Sequence, residues 1–448
     1  MSAATQRSVI VVGAGLAGLV AAWRLSRQGF QVAVLDRCER SRLGGRAGAE
    51  RREGFALEPV PPVLSAGDRR LLAWISDVGM QDDLLPLRPL MTQLVHLGSP
   101  RDAEVRGLSD VRRLPGVSLR QALRLVRLPR LLRRYGDAID PARPERAADL
   151  DDRSLRDFGT LYFGGKVFDA WMAPLVTSGS LGDPREMSRV QFLHHVRRYG
   201  TERPGLPRGS LFDVIERAAS ELNVRTRVEV VGTAPREGGG VRVVLGDGRQ
   251  VGADAVVLAV PAHEALRLGG PLLSPAERDG LSAVRYAPGI TVAAALCRPP
   301  SARPVRLLVP RSEDSPIECA TLEAGLPAAR APEGLGLALV RATPGFAAAH
   351  LDAPAEAVEK DLLGALDVLR PGIQRSVEFS RVLRTAHAAP RFDVGRYREI
   401  ARFERVQRDL RAGGRRLYFA GDYLQHPSFE GAVVSAERTA DAVQEDLR

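Results

Sequence analysis

The sequence predicts an α/β fold built on a parallel sheet whose strands come from distant parts of the chain. Near the N-terminus a β-branched strand at residues 8–12 runs through a glycine-rich turn into a helix and a second strand, within about thirty residues. Near the C-terminus a buried strand at 416–420 precedes a helix that runs to the last residue. Short apolar strands that alternate with helices are typical of a parallel sheet covered on both faces.

The N-terminal turn carries a Gly-x-Gly-x-x-Gly pattern directly after the first strand. The first glycine of such a turn permits the bend, the second lets the backbone approach a pyrophosphate, and the third allows close packing of helix and strand. Asp36 follows the second strand, 18 residues after Gly18, where a carboxylate can accept hydrogen bonds from a ribose. The unit predicts dinucleotide binding at a helix N-terminus. The predicted contacts are Gly13, Gly15, Gly18, Asp36 and Arg37.

A second glycine-rich segment, Leu43-Gly44-Gly45-Arg46, lies a few residues beyond Asp36. An acid followed by Gly-Gly-Arg in this place resembles the flavin-containing amine oxidase superfamily, which includes protoporphyrinogen oxidases, phytoene-type desaturases and monoamine oxidases. The resemblance implies FAD, with this loop over the pyrophosphate and the flavin edge. Two glycines permit backbone contact, and the Arg46 guanidinium is a planar cation suited to phosphate.

The C-terminal segment shows the same resemblance in Phe-Ala-Gly421-Asp422, followed by Glu430-Gly431-Ala432-Val. It implies that Asp422 binds the ribityl or pyrophosphate part of FAD. It also implies that the helix from Glu430 directs its N–H groups at the flavin N1–O2 edge, where a helix N-terminus favours negative charge.

The middle of the chain also resembles the superfamily, at a predicted strand over 224–231 and at Val-Val-Leu-Ala-Val-Pro, residues 256–261. In the first of these, the resemblance implies that the backbone of Val228 meets the adenine. Together the segments imply a Rossmann-type FAD-binding domain that is discontinuous in sequence (1–88, 205–265 and 385–448). An inserted α+β substrate-binding domain would then comprise 89–204 and 266–384.

One position departs from the superfamily pattern. Its members usually carry an acid and then a glycine where the chain passes the flavin, whereas Pro59 follows Glu58 here. Proline fixes φ and has no N–H to donate. This departure keeps open a protein that holds FAD without catalysing a reaction.

The substrate signals disagree. Tyr286-Ala-Pro288-Gly-Ile-Thr-Val looks most like protoporphyrinogen oxidases, whereas residues 420–423 with 429–432 are closer to desaturases and amine oxidases. The leading expectation is hydride transfer from a bulky apolar substrate to flavin N5, with reoxidation by dioxygen or a quinone. The alternatives are a polyene desaturase, an amine oxidase and a non-catalytic FAD-bound partner. No residue is assigned as catalytic.

Few residues favour the amine oxidase alternative. Aromatic residues make up only 5% of the chain, and neither lysine, Lys166 or Lys360, falls near the strand after Pro288, where those enzymes often carry one. Some of those enzymes attach flavin to a C-terminal cysteine, but no cysteine follows Cys319, so we expect non-covalent FAD. The three cysteines predict no disulfide framework, and the scattered histidines predict no metal site.

The formal charge of +10 is concentrated in one segment. Residues 106–136 contain nine arginines and a single acid, Asp110, a net +8, with leucines at helical spacing around Pro129. A basic amphipathic helix is typical of membrane-surface binding, and the alternative is a solvated arginine face over a core. Nucleic-acid binding is not expected, because no recognition motif accompanies the arginines. With no apolar run of about 18 residues and no signal peptide in view, we expect a cytoplasmic protein, with peripheral attachment to the inner membrane face as an option.

Overall fold

A computed structural model of the chain describes residues 6–105, 110, 113–200, 204–325 and 330–448. It contains a five-stranded sheet whose neighbouring strands are all parallel. In order across the sheet, the strands are Leu417–Phe419, Ala255–Leu258, Ser8–Val12, Gln31–Leu35 and Val224–Arg225. The predicted α/β fold with a parallel sheet assembled from distant segments is therefore confirmed.

The two faces of this sheet follow the alternation of side chains along its strands. Val9 and Val11 face a cluster formed with three helices, Leu16–Arg27, Leu211–Glu221 and Phe429–Leu447. Ile10 and Val12 face the opposite cluster, which includes an antiparallel three-stranded sheet. Its strands are Val230–Pro235, Val241–Leu245 and Gln250–Ala253. Every side chain of the central strand after Ser8 is therefore buried.

The helices Ala262–Gly269 and Pro275–Ser282 complete this second cluster. The second helix lies beyond the expected domain boundary at residue 265, yet Leu281 packs in the same cluster as Ile10 and Val12. In the structure, the chain joins the other half of the molecule only after this helix.

A seven-stranded mixed sheet forms the core of the other half. In order across the sheet, its strands are Val377–Pro390, Tyr286–Leu296, Gly336–Ala342, Ile317–Ala324, Val305–Leu308, Met91–His96 and Ser99–Asp102. One face packs on the helix Ala355–Leu369 through Val358, Leu362 and Leu366. The strand Val377–Pro390 runs across the expected domain boundary at 384–385, so one strand joins the two halves.

Helices and two short pairs of strands fill the space around the two large sheets. The remaining α-helices are Arg69–Asp77, Gln81–Leu84, Leu119–Ala122, Arg127–Tyr135, Leu155–Tyr162, Gly165–Val167, Ala173–Ser180, Arg189–Tyr199, Pro344–Ala349 and Arg396–Ala412. The 3₁₀-helix Leu123–Val126 connects Leu119–Ala122 to Arg127–Tyr135. Two-stranded pairs join Glu50–Arg52 with Phe55–Leu57, and Arg88–Pro89 with Gly205–Leu206. No helix among the described ranges has the length and apolar character needed to cross a bilayer.

Two local predictions differ from the structure. The strand expected over 224–231 is broken at Arg227, whose φ of +57° is left-handed and cannot continue a strand. Pro129 does not interrupt the basic segment, because it is the third residue of the helix Arg127–Tyr135. Proline is tolerated in the first turn of a helix, where its missing N–H has no partner to lose.

Candidate active site

A cavity of about 830 Å³ lies where the carboxyl ends of the parallel strands face the mixed sheet. Ligands of open α/β sheets bind at this edge. Both glycine-rich motifs and the C-terminal motif reach it. Of the predicted cofactor-binding residues, those that line the cavity are Gly15, Gly44, Gly45, Arg46, Gly421, Asp422 and Ala432. Those that do not are Gly13, Gly18, Asp36, Arg37, Val228, Glu430 and Gly431.

The glycines of the first turn divide by what surrounds them. Gly13 has a left-handed φ of +103°, and a Cβ there would lie 2.5 Å from the carbonyl oxygen of Ala259. A Cβ on Gly18 would lie 1.8 Å from the carbonyl oxygen of Gly13. By contrast, a Cβ on Gly15 would meet nothing within 4 Å. Gly13 and Gly18 are thus required by the fold, whereas Gly15 leaves space open at the cavity.

The helix that begins at Leu16 starts at this open space. No side chain caps it, and its first turn holds no acid. The first N–H groups of a helix have no partner within the helix, and together with the dipole they attract an anion. The geometry suits a pyrophosphate at Gly15.

The second glycine pair forms the neighbouring wall. Gly44 and Gly45 both have positive φ, +88° and +56°, and the Gly44 N–H donates to the carbonyl oxygen of Ala14 at 2.9 Å. This bond lays the loop alongside the first turn. It also places Arg46 beside Asp422 of the C-terminal motif.

Arg46 and Asp422 bind each other. Arg46 Nη1 donates to Asp422 Oδ2 at 2.6 Å, and Nη2 donates to Oδ1 at 2.7 Å. Arg46 Nη1 also lies 3.3 Å from the carbonyl oxygen of Ala388. Burial alone would lower the pKa of Arg46, but the Asp422 carboxylate raises it overall. The two residues expected to bind the cofactor separately form a single charged unit on the cavity wall.

The expected adenosine end has a different arrangement. The Asp36 carboxylate accepts hydrogen bonds from the N–H groups of Ala14 at 2.6 Å and Cys38 at 2.7 Å. The Val228 N–H donates to the carbonyl oxygen of Asp36 at 2.9 Å, so the two residues expected at the ribose and the adenine are neighbours. Arg37 lies 3.6 Å from Glu264 and is largely exposed.

Glu430, one of the predicted cofactor-binding residues, does not line the cavity. Its carboxylate accepts hydrogen bonds from the N–H groups of Arg70 at 3.1 Å and Leu71 at 2.8 Å, and thereby caps the helix Arg69–Asp77. The C-terminal helix is itself capped by Ser428, whose Oγ accepts from the Gly431 N–H at 3.0 Å. A Cβ on Gly431 would lie 2.1 Å from the carbonyl oxygen of His426, so this glycine is needed for packing. In this motif it is Ala432 that reaches the cavity.

Glu58 and Pro59 both make contacts away from the cavity. Glu58 is 2% exposed and pairs with Arg330 Nη1 at 2.6 Å, while Ser210 Oγ donates to it at 2.7 Å. The carbonyl oxygen of Pro59 accepts from Thr291 Oγ1 at 2.7 Å. The acid therefore neutralises a buried arginine, and the cavity wall begins only after this dipeptide, at Val60.

The end of the cavity away from the glycine turns is lined by the mixed sheet and by the helices Arg127–Tyr135 and Ala173–Ser180. The apolar wall includes Leu128, Leu132, Trp171, Val176 and Leu308. Polar side chains project from the sheet at Thr92, Arg306, Thr321 and Arg341. The sequence reasoning missed this group, although an arginine inside an otherwise apolar strand such as Gly336–Ala342 was a usable signal.

His195 and Tyr199 line the cavity on the helical side. Burial, together with Arg306 and Arg198, lowers the pKa of His195 to about 3, so the ring is neutral at physiological pH. No lysine lies on the strand Tyr286–Leu296 or in the cavity lining. Within the described ranges, no three His, Cys, Asp or Glu side chains are grouped so as to hold a metal ion.

Comparison with known proteins assigns the family. The model of the flavin-containing amine oxidoreductase family matches residues 16–444. The chain belongs to this family. The predicted superfamily is therefore confirmed, and the predicted oxidoreductase class and flavin cofactor agree with this family.

Individual relatives of the chain within this family are distant. A candidate flavin-containing monoamine oxidase of Mycobacterium tuberculosis, AofH, is 27% identical over 60% of the chain, and the alignment spans only 60% of that relative's own length. Coproporphyrinogen III oxidase of Propionibacterium freudenreichii subsp. freudenreichii is 26% identical over 97% of the chain and 90% of the relative. The structure of putrescine oxidase bound to putrescine superposes with a TM-score of 0.76 at 19% identity, covering 97% of this chain and 98% of that one, which shows the shared fold.

The residues on the cavity wall fit FAD. An uncapped helix N-terminus faces the space beside Gly15, and the left-handed Gly44-Gly45 pair brings backbone to the same place. The Arg46–Asp422 unit lies between this site and the mixed sheet. A pyrophosphate would lie at Gly15 and Gly44, and the redox-active ring would lie toward the apolar end.

Proposed function

We propose that this flavin-containing amine oxidoreductase dehydrogenates a bulky, largely apolar substrate of the porphyrinogen type. The single observation that carries the proposal is the continuity of the cavity. It runs from the glycine turns to a wall formed by Leu128, Leu132 and Trp171. The relative named coproporphyrinogen III oxidase, which aligns over 97% of the chain, supports the same class.

FAD, when bound, supplies the hydride acceptor at its N5 atom. The residues of the chain orient the substrate and keep water out of the cavity. Apolar side chains exclude water from the far end of the cavity, and the neutral His195 and the hydroxyl of Tyr199 border it on the helical side. Removal of water strengthens the electrostatic interactions inside such a site.

Anaerobic reduction of the bound flavin tests this proposal. Protoporphyrinogen, coproporphyrinogen, a linear carotene precursor and a panel of mono- and diamines are each mixed with the purified holoenzyme, and the flavin absorbance is followed. We expect rapid bleaching by a porphyrinogen. Bleaching only by the polyene would identify a desaturase instead. Retained flavin that none of these compounds reduces would support a non-catalytic partner protein.

An amine oxidase is the second candidate, because Tyr423, next to Asp422 in sequence, and Phe429 both line the cavity. Two aromatic side chains can flank an amine beside a flavin, and aromatic faces attract cations. Bleaching by amines and not by porphyrinogens would establish this candidate.

We also propose that the basic segment contacts an anionic membrane. Residues 106–109 and 111–112 lie outside the described residues, but the helices that follow present an apolar ridge to solvent. Leu119, Leu123 and Val126 are 62%, 60% and 57% exposed, at spacings of four and three residues. The other apolar stripe of the segment, Leu125 and Leu128, is buried.

Arginines flank this ridge, at Arg120, Arg124 and Arg127. Exposed apolar side chains among cations match the interface of an anionic bilayer, where both attractions act together. Leu128 and Leu132 of the adjoining helix line the cavity, so an apolar substrate would reach it from the same side. A quinone acceptor would arrive from the same membrane, whereas dioxygen would need no such contact.

Co-sedimentation with vesicles tests the contact. We expect binding to phosphatidylglycerol vesicles that weakens between 50 mM and 500 mM salt, and little binding to phosphatidylcholine. The double variant Leu119→Ser/Leu123→Ser should lose most of it. Val368→Ser removes an equally exposed apolar side chain elsewhere (74% exposed) and should bind like the wild type. If the double variant binds as well as the Val368 variant, or if the wild type does not bind, the segment is a solvated arginine face and not a membrane contact.

A further inference from the structure

We propose that Arg306 and Arg341 form a binding site for a carboxylate group of the substrate. The inference rests on the proposed function, because it concerns the substrate end of the same cavity. It narrows the substrate from a bulky apolar molecule to one that carries an acidic group.

The two arginines are placed side by side by the register of three strands. Arg306 lies opposite Thr321, and Arg341 lies opposite Cys319, on the strand Ile317–Ala324 between them. Side chains two residues apart on a strand share a face. All four residues line the cavity. The intervening positions, Leu307, Ala320 and Val340, pack in the core on the opposite face.

Several other arginines in the described part of the chain have largely buried side chains, and these pair with carboxylates. The pairs include Arg198–Asp68, Arg330–Glu58, Arg396–Glu399 and Arg415–Glu277. Arg306 and Arg341 differ from these. Within the described part of the chain, neither has a carboxylate oxygen within 4.0 Å. Arg306 Nη2 donates to Ser178 Oγ, and Arg341 Nη1 donates to the carbonyl oxygen of Ser178 at 3.2 Å.

A guanidinium removed from water without a counter-ion is costly, by several kcal/mol. Burial lowers the pKa of both arginines. Burial also raises the pKa of the Cys319 thiol beside them, so this thiol is neutral and offers no compensating charge. The charge of the buried Glu318 carboxylate favours a higher pKa of Arg341, but the two side chains do not form an ion pair. The uncompensated cations are therefore available to a ligand.

A carboxylate is the ligand group that matches. The guanidinium groups of both arginines can donate hydrogen bonds to the two oxygens of one carboxylate. Such charge-assisted bonds are strong in a site that holds little water. The same cations repel a protonated amine. The apolar wall that includes Leu308 and Val176 adjoins them, so the ligand is an amphiphile whose acidic group lies on the mixed sheet.

Ligand binding to the holoenzyme tests the proposal without turnover. Dodecanoate, dodecanol, dodecylamine and dodecyl phosphate, kept below their micelle concentrations, are titrated while the flavin absorbance spectrum is recorded. We expect dodecanoate to perturb the spectrum with a Kd at least about 10-fold below that of the alcohol, and the amine not to bind. Equal binding of acid and alcohol would overturn the proposal, and tighter binding of the phosphate would replace the carboxylate with a phosphoryl group.

Variants separate binding from a structural role. Arg306→Met and Arg341→Met should each weaken dodecanoate about 10- to 100-fold and leave the alcohol unchanged. Because each removes an uncompensated buried charge, the ligand-free variants should unfold at the same temperature as the wild type or higher. Arg370→Met, outside the cavity lining, is the matched control and should bind dodecanoate normally. Unchanged dodecanoate affinity in both cavity variants would overturn the proposal.

The outcomes also distinguish this inference from the proposed function. Arginine-dependent binding of dodecanoate with no porphyrinogen oxidation would leave the carboxylate site intact and overturn the reaction. Porphyrinogen oxidation that is unaffected by either arginine variant would support the proposed reaction and overturn the carboxylate site.

Discussion

Arg46 and Asp422, 376 residues apart in sequence, meet in a two-pronged ion pair with N–O distances of 2.6 and 2.7 Å. The pair joins the N-terminal glycine loop to the end of the last parallel strand, on the wall of the cofactor cavity. The Asp422 side chain is almost fully buried, and the Arg46 guanidinium offsets the cost of burying it.

The first prediction concerns this pair. Replacing Asp422 with Ala should release Arg46 and the Gly44-Gly45 loop from their position on the cavity wall and weaken FAD retention about 10- to 100-fold, since hydrogen bonds between charged groups contribute about 1.5–3 kcal/mol. Flavin release on dilution measures the loss. Asp247→Ala removes an exposed acid that pairs with Arg249, and this control should retain flavin normally. Full retention by the Asp422 variant would contradict the role given to the pair.

The two glycines Gly15 and Gly18 should fail in different ways when substituted. Gly15→Val should fold with a melting temperature near that of the wild-type apoprotein, because its Cβ meets nothing within 4 Å, yet the side chain should occupy the pyrophosphate space. Gly18→Val should fold poorly, since its Cβ would lie 1.8 Å from a backbone oxygen. Circular dichroism and flavin content measure the two effects. A Gly15 variant that keeps its flavin would place the pyrophosphate elsewhere.

Arg330 should be a major determinant of stability. It is fully buried and pairs with both Glu58 and Glu323. Arg330→Met leaves the buried Glu58 carboxylate without a counter-ion, whereas Glu323 keeps its pair with Arg88, and should lower the free energy of unfolding by about 3–5 kcal/mol. Arg381→Met breaks an exposed pair with Glu50 and should cost less than about 1 kcal/mol. Comparable denaturant midpoints for the two variants would refute the assigned difference.

His194 should make the protein sensitive to acid. It is fully buried, and neither ring nitrogen has a hydrogen-bond partner within the described residues. Burial, with a contribution from Arg198, lowers its pKa from 6.5 to about 3. Between pH 6.5 and pH 3, His194 is therefore protonated in the unfolded chain but neutral in the folded chain. The contribution of His194 to the free energy of unfolding is complete above about pH 6.5 and falls by about 1.4 kcal/mol per pH unit toward pH 3.

The variant His194→Phe removes this proton from the balance. Unfolding midpoints measured from pH 7.5 to pH 5 should fall less steeply in the variant than in the wild type, because one buried histidine fewer then takes up a proton on unfolding. His195 and His426, whose pKa values burial also lowers, still contribute. The ring contact with Tyr397, at 5.2 Å between centroids, can be made by phenylalanine. Identical slopes would show that His194 is not the titrating group.

The sequence predicted the parts of this molecule that local patterns specify. The strand Ser8–Val12 and the turn after it were predictable because strand, glycine and helix signals follow one another within one βαβ unit. Glu430 was misplaced because its motif reveals the start of a helix but not which neighbouring helix the carboxylate caps. Arg306 and Arg341 could not be paired from sequence, since their proximity depends on the register of strands far apart in the chain.

The central claim is that this flavin-containing amine oxidoreductase oxidises an acidic, largely apolar substrate in the cavity between its two sheets. Anaerobic stopped-flow mixing of the holoenzyme with coproporphyrinogen tests it most directly. We expect the flavin absorbance to bleach at a rate that saturates with substrate, and the double variant Arg306→Met/Arg341→Met to need at least about 10-fold more substrate for half-saturation. Flavin that stays oxidised with this substrate, or bleaching that is faster with a simple amine, would contradict the claim.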